Sequence, residues 1–428
     1  MSLENHSRER HSLSPVQIEP AMDEKLIYDW NMSAGARSTP TKPVLLNDET
    51  LRDGLQSPSV RDPSIEEKIE ILHLMDEVGI NALDLGLPGA GPRARADVER
   101  LAREIAQCKL KIKANCAART IEADITPIAE AVQRTGLEIE AATFIGSSPI
   151  RRFTEEWTVD HLVRTTERAL RHAVNLGLPV MYVTEDTTRA DPDTIKLLYS
   201  TAIRCGARAV CICDTVGHAT PQGVANLIRY VIEEVVKPSG TQVRVDWHGH
   251  SDRGLAIPNC LAAIEAGADQ IHGCALGIGE RVGNASMDQL LVNLKLMGII
   301  HQDLTKLKSY CQAVSKATLV PIPVNYPVFG RDAFRTATGV HAAAVIKAFR
   351  KKDEPLANSV YSGVPAHIFG LEQVIEIGPM SGKSNIVYWL EKHGMAPSEP
   401  IVDAIYSLAK QSNHILSDLE IRSVLQRG

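Results

Sequence analysis

No CxxC pair occurs in this chain, and its eight cysteines are scattered between Cys108 and Cys311. In a chain of 428 residues a disulfide framework would be unusual. That excludes a small secreted scaffold and fits a reducing cytoplasm. No apolar run approaches the ~18 residues of a membrane span. The polar segment from Met1 to about Lys25 lacks the apolar stretch of a secretory signal. A basic excess is missing too: 46 Lys and Arg stand against 52 Asp and Glu, a formal net charge of −6, so no footprint for nucleic acid is visible. What is present is ordinary for a globular protein with a large core, with 44% hydrophobic and 23% charged residues.

Residues 1–40 carry many Ser, Glu, Arg and Pro without a sustained period and read as a flexible N-terminal arm. From Val44 short apolar runs alternate with amphipathic stretches, beginning with Val44–Leu46, Ile80–Leu85 and Leu110–Ala114. Ser64 and Glu67 have the spacing of a capping box, and Asp191-Pro192 and Thr220-Pro221 each place a cap before a proline. Strand–helix alternation implies βαβ units on a parallel sheet. About eight such units in roughly 250 residues is the size of a (β/α)8 barrel. No GxGxxG opens the first unit, as it would in a dinucleotide-binding open sheet. A TIM barrel is therefore expected over residues 41–302. Residues 303–428 read as mostly helical accessory or lid subdomains, with proline joints at Pro321, Pro323, Pro327 and Pro379.

A barrel carries its active site at the C-terminal ends of its strands. The polar residues that follow the apolar runs are Glu49, Arg52 and Asp53, then Glu185 and Asp186, then Asp214 and Thr215, then His248 and His250, and last the stretch from Gly277 to Asn284. In His248-Gly249-His250 the two imidazoles point to one side of an extended segment. Imidazole suits divalent transition metals, and a carboxylate as third ligand, here Asp53, leaves positions open for substrate. An isolated HxH also occurs as a hydrogen-bonded pair; Asp53 and Asn284 at corresponding strand ends favour the metal. Arg52, beside the proposed ligand, suits developing negative charge on an oxygen. Glu185 reads equally as a strand-end cap or a general base. Cys211 and Cys213 bracket one residue of an apolar run, where small buried thiols are common.

Several of these segments resemble one family. Leu51-Arg52-Asp53-Gly54-Leu55-Gln56-Ser57-Pro58, His248-Gly249-His250-Ser251-Asp252-Arg253-Gly254-Leu255-Ala256 and Gly277-Ile278-Gly279-Glu280-Arg281-Val282-Gly283-Asn284 are similar to signatures of the 2-isopropylmalate synthase and homocitrate synthase family. Thr184–Arg189 and Asp214–Gly217 match further strand ends. The resemblance implies a barrel followed by helical subdomains, usually a homodimer, that condenses acetyl-CoA with a 2-oxo acid. It implies that Asp53, His248 and His250 bind a divalent cation (Zn, Mn, Mg or Co), with Asn284 as a further ligand or neighbour. Arg52 would support the developing alkoxide, Thr215 would hold the substrate carboxylate, and Gln56 falls in the same substrate-binding set. His341, in Thr338-Gly339-Val340-His341, resembles a catalytic histidine delivered from the second subunit, and Tyr361 a tyrosine of the same site. Glu280 would orient His341 as base, with Glu185 as its competitor. Gly378–Lys383 is a looser match to a GKxSG stretch.

The departures concern specificity. Ala142 stands where isopropylmalate synthases usually have histidine, Leu276 where asparagine commonly precedes the Gly-rich loop, and Ala342-Ala343 replace a polar pair. Small residues near the substrate would admit a bulkier side chain, as in an alkylmalate or arylalkylmalate synthase. The leucine-binding domain of feedback-regulated isopropylmalate synthases is not expected in a chain that stops at residue 428. Two rivals stand beside this reading. One is carbon–carbon cleavage on the same metal site, as in 3-hydroxy-3-methylglutaryl-CoA lyase or an aldolase; that lyase carries a cysteine-containing loop where this chain reads Gly-Ile-Gly-Glu-Arg. The other is a ligand sensor on a decayed barrel.

Overall fold

The computed structural model describes residues 26–32, 40 and 42–426. Most of the expected arm, 1–40, lies outside the described residues.

Eight parallel strands close into a barrel in chain order, with β8 returning to β1. They are β1 (Leu45–Asp48), β2 (Ala82–Asp84), β3 (Lys113–Arg119), β4 (Ile139–Gly146), β5 (Val180–Glu185), β6 (Ala209–Asp214), β7 (Arg244–Gly249) and β8 (Gln270–Gly273). Helices fill the connections, and the expected TIM barrel is what forms. The strands are short and apolar because a helical layer covers their outer face. Outward residues such as Leu46, Leu83, Tyr182, Val210, Ile212, Trp247 and Ile271 are buried in one core with the helices. Local signals behave as the sequence foretells. Ser64 and Glu67 make a reciprocal capping box on helix Ile65–Glu77, and Asp191 and Thr220 cap helices that begin with proline.

The barrel's core does not stop at 302. Helix Leu307–Thr318 buries Leu307, Cys311, Val314 and Ala317 in it. Its Tyr310 hydroxyl donates to buried Asp48 and lies 3.3 Å from Thr50 Oγ1. This helix therefore latches the end of β1, the segment that carries Glu49, Arg52 and Asp53. Burial pushes the Asp48 carboxyl up to about 6, offset in part by Thr50 and Tyr310.

Beyond it the chain is mostly helical, as expected. Two short parallel strands, β9 (Arg335–Thr336) and β10 (Val374–Ile375), pair with each other. Helix Gly339–Arg350 packs Ala342, Val345 and Ile346 beside Ile375. Helices Lys383–Lys392, Glu399–Gln411 and Asp418–Leu425 enclose a separate small core around Ile386, Trp389, Ile405 and Ile421. The segment Gly378–Lys383 runs against the start of helix Gly339–Arg350. Gly339 N donates to Met380 O at 3.0 Å, and a Cβ on Gly339 would lie 2.7 Å from Gly382 N.

Candidate metal and substrate site

Asp53 opens a single 3-10 turn, Asp53–Gln56, directly after β1. His248 lies in β7 and His250 follows it, and both face the barrel's upper mouth as their spacing demands. Asp53 Oδ2 is 3.9 Å from His248 Nε2 and 3.9 Å from His250 Nε2. The three candidate ligand atoms lie within 4.8 Å of one another, and all three residues are buried. Asn284 is drawn in by an isolated bridge to His250. Its Nδ2 donates to Asp53 Oδ1 at 2.7 Å and to Ile278 O at 3.2 Å. Its Oδ1 is buried with no hydrogen-bond partner among the described residues, and the same holds for His250 Nδ1. Two imidazole nitrogens, a carboxylate oxygen and a spare amide oxygen form a donor set that fits a divalent transition ion.

The loop that presents Asn284 depends on its glycines. Gly283 has φ +87°, and a Cβ there would lie 1.8 Å from Gly277 O. Arg281 pins the loop, donating to Asp252 at 2.8 and 3.0 Å and to Thr215 O at 2.6 Å. The ends of β6, β7 and β8 are thus tied together.

Arg52 is a hub. It donates to Asp84 Oδ2 at 2.8 Å, to Asp53 Oδ2 at 2.9 Å, and to Glu49. Glu49 Oε1 is 2.6 Å from His272 Nδ1 and 3.6 Å from His248 Nδ1. A carboxylate behind a ligand imidazole fixes its orientation and raises its basicity. His272 Nε2 is 3.3 Å from Asp246 Oδ2, Asp246 is held by Arg244 at 2.8 and 3.0 Å, and Arg244 reaches Glu140 at 2.7 Å. A chain of alternating charge therefore runs down the barrel interior. Sequence reasoning passed over Asp84, Asp246 and His272. The available signal was a polar residue inside an apolar run, as in Leu83-Asp84-Leu85 and Ile271-His272, at inward-facing strand positions.

The charges follow from this wiring. Burial is the largest influence and raises the Asp53 and Glu49 carboxyls, but the Arg52 guanidinium and the neighbouring imidazoles, His248 first among them, together outweigh it, and both sit below the ordinary range. Asp84 is pushed by burial up to about 6, with Arg52 offsetting only part. Burial and then His248 depress the His250 imidazole to about 4. Burial raises the Glu185 carboxyl against the pull of Arg151 and Arg52. For His272, burial disfavours the charge, yet the bonds to Asp246 and Glu49 prevail and lift it from 6.5 to about 10. Its stabilisation is therefore full below about pH 6.5 and is lost as pH rises through about 10. His272→Asn is expected to lower unfolding free energy by about 3–5 kcal/mol at pH 6, because one partner of a buried ionic chain is removed. The gap should narrow as the pH approaches 10. Urea unfolding of both proteins across that range checks it; a gap independent of pH would contradict the charged state.

The barrel mouth holds a cavity of about 140 Å³. Glu49, Arg52, Asp53, His248, His250 and His272 line one half. Ala142, Phe144, Met181, Val183, Cys211 and Cys213, from β4 to β6, line the other. Gln56, Glu185, Thr215 and Glu280 also face it. Thr215 Oγ1 accepts from Asp186 N at 2.8 Å, which leaves its hydroxyl hydrogen for a ligand. Leu276 does not line this cavity; it packs against the outer core, so it does not shape the acceptor pocket as the sequence suggested. His341 and Tyr361 are not in the cavity lining either. They stack on each other, with ring centroids 4.3 Å apart, on the exposed surface of the C-terminal region.

The chain is similar to known proteins over most of its length. Residues 44–315 match the HMGL-like family model. Homocitrate synthase AksA of Methanopyrus kandleri is 33% identical over 86% of this chain and 87% of its own length. A probable 2-isopropylmalate synthase of the same organism is 32% identical, covering 86% of this chain and 69% of that protein. The 2-isopropylmalate synthase of Pyrococcus abyssi is 29% identical, over 90% and 77% respectively. Among solved structures, a hydroxymethylglutaryl-CoA lyase from Pseudomonas aeruginosa superposes with a TM-score of 0.54 at 20% identity, covering 64% of this chain and 93% of that one. At that identity the likeness speaks for the fold.

Proposed function

Because this chain belongs to the HMGL-like family, we propose that it condenses acetyl-CoA with a 2-oxo acid and hydrolyses the resulting thioester, as a 2-isopropylmalate synthase-type acyltransferase. The observation that carries this reading is one cavity with two halves: Asp53, His248 and His250 beside Arg52 on one side, an apolar wall on the other. The relatives named above are alkylmalate and homocitrate synthases and support the same chemistry.

Asp53, His248 and His250 would hold the divalent ion, with Asn284 Oδ1 beside them. Such an ion polarises the oxo acid's carbonyl. The Thr215 hydroxyl donates to the acid's carboxylate. Arg52, fixed by three carboxylates, presents a permanent cation where the carbonyl oxygen becomes an alkoxide. A thioester methyl is a poor acid, so a base must take its proton as the bond forms. Glu185 sits in the cavity with a raised carboxyl and is one candidate. His341 is the other, oriented by Glu280. Its surface position with Tyr361 suits delivery into the barrel of a second copy, in a homodimer with shared sites. The carbanion attacks the 2-oxo carbon, and water then cleaves the thioester and releases CoA, so the step is effectively one-way. The eight unpaired cysteines suit a cytoplasmic enzyme, and no helix among the described residues is long and apolar enough to cross a membrane.

Release of free CoA from acetyl-CoA with a panel of 2-oxo acids tests the proposal. Cleavage of a hydroxyacyl-CoA without acceptor-dependent CoA release would favour the lyase reading instead. The same panel tests specificity. Ala142, Met181 and Val183 offer no cation to a second carboxylate, and burying one unpaired is costly. An acceptor with an apolar side chain is expected to exceed 2-oxoglutarate by at least ~10-fold in kcat/KM, about 1.4 kcal/mol. A preference for 2-oxoglutarate would overturn this view of the pocket.

A further inference from the structure

The outer helical layer carries a donor cluster that the condensation does not use. Helix Ile65–Glu77 and helix Pro92–Cys108 pack against each other outside the barrel. Each turns an apolar face to the core, burying Ile71, Leu72 and Met75 from the first and Leu101, Ala102 and Ile105 from the second. At the solvent edge of that contact stand His73 from the first helix and Glu104 and Cys108 from the second. Glu104 and Cys108 are four residues apart and so share one helix face. His73 Nε2 lies 2.8 Å from Glu104 Oε1, and the Cys108 thiol donates to the same oxygen at 3.2 Å. Candidate ligand atoms from all three residues lie within 4.8 Å of one another. Among the described residues, the other groups of this kind belong to the barrel interior.

We propose that His73, Glu104 and Cys108 form a peripheral site for a divalent ion of the zinc type, separate from the Asp53–His248–His250 site, that staples these two helices together. The donor set is the first argument. An imidazole nitrogen, a carboxylate oxygen and a thiolate sulfur are the three ligand types such an ion takes, and three protein ligands leave the fourth tetrahedral position to water. The spacing is the second. Around a tetrahedral ion at ~2.0–2.3 Å, neighbouring donors stand roughly 3.4–3.6 Å apart. The pairs observed at 2.8 and 3.2 Å therefore need to part only slightly, at a surface where both His73 and Cys108 have room to move. The third is the setting of Glu104. Arg100 donates to its other oxygen, Oε2, at 2.7 Å, which turns Oε1 toward the cluster. Arg100, then His73 and Cys108, hold this carboxyl down at about 2, so it is ionised. Cys108 is exposed, and what first raises its thiol is the bond to Glu104, a partner that the ion would take over. Glu70 and Glu77, exposed three and four residues from His73 on its own helix, offset the charge of Arg100. Binding forms one metal–nitrogen, one metal–oxygen and one metal–sulfur bond and releases the thiol proton to solvent, with no change of oxidation state.

Cobalt(II) titration of the metal-depleted protein, followed by the thiolate-to-cobalt charge-transfer band in the near ultraviolet, tests the site. The Asp53–His248–His250 set has no sulfur, so the band reports Cys108. It is expected in the wild type and in His250→Ala, and is expected to be lost in Cys108→Ser. His73→Ala is expected to weaken the titration at least ~10-fold. Absence of the band from the wild type, or its survival in Cys108→Ser, overturns the proposal. Zinc protection of the thiol is a second measurement. The tryptic segment 104–109 contains Cys108 and no other cysteine. Zinc chloride is expected to slow alkylation of that segment by iodoacetamide at least ~10-fold in the folded wild type, and much less in His73→Ala. Equal protection in the two proteins would show that the thiol acts without its neighbours, and the cluster fails as a site. Neither readout uses turnover, so failure here is distinguishable from failure of the synthase reading.

Discussion

Replacing His250 by alanine is expected to abolish tight divalent-ion binding and turnover together. With Asp53 and His248, the imidazole contributes one of three candidate ligand atoms that lie within 4.8 Å of one another. Its neutral form is favoured, because burial and His248 depress it to about 4, so its Nε2 lone pair is available at neutral pH. Changing even a partner of a metal ligand commonly costs roughly 10–100-fold. Losing a ligand from this set should cost more than ~100-fold in turnover. The fold should tolerate the change, since His250 is not part of the buried ionic chain through Glu49, His272 and Asp246. Metal content after dialysis and CoA release measured on the same sample check the two effects. Full activity of His250→Ala after chelator treatment would show that these residues do not serve a metal.

Mixing two inactive variants should restore about a quarter of wild-type activity if the site is shared between subunits. His250 stands in the barrel, while His341 and Tyr361 stack on the surface of the C-terminal region and do not line the cavity. His250→Ala is a better barrel partner than a change at Arg52, whose loss would strand Glu49, Asp53 and Asp84 without their cation. His250→Ala and His341→Ala should each be nearly inactive. Random reassembly yields about half heterodimers, each with one site carrying both lesions and one carrying neither. Half of the sites in half of the dimers is roughly one quarter. If His341 closed over its own barrel, every site would keep one lesion. A mixture no more active than its components, with subunit exchange demonstrated by mass, would exclude the shared site.

The barrel was legible in the chain because its signals are local. Alternating apolar runs, the Ser64 capping box and the prolines at first helical positions each report on a few adjacent residues, and eight such units of this length close in only one common way. Asp53, His248, His250, Arg52 and Thr215 were legible for a related reason: in a parallel barrel every strand end opens on one face, so residues remote in sequence are known to meet there. Three things were decided only in three dimensions. The alternating charge chain through His272, Asp246 and Arg244 depends on which inward side chains stack in register across β1, β7 and β8, and no residue announces its cross-barrel partner. Leu276 lies outside the pocket and packs, partly buried, against the barrel's main core. Helix Leu307–Thr318 joined the barrel by burying Leu307, Cys311, Val314 and Ala317 in its core while Tyr310 reaches buried Asp48, a contact that spans the whole barrel sequence. Local periodicity writes secondary structure and strand ends into the sequence. Long-range electrostatic pairing and the packing of a late helix onto an early strand exist only once the barrel has closed.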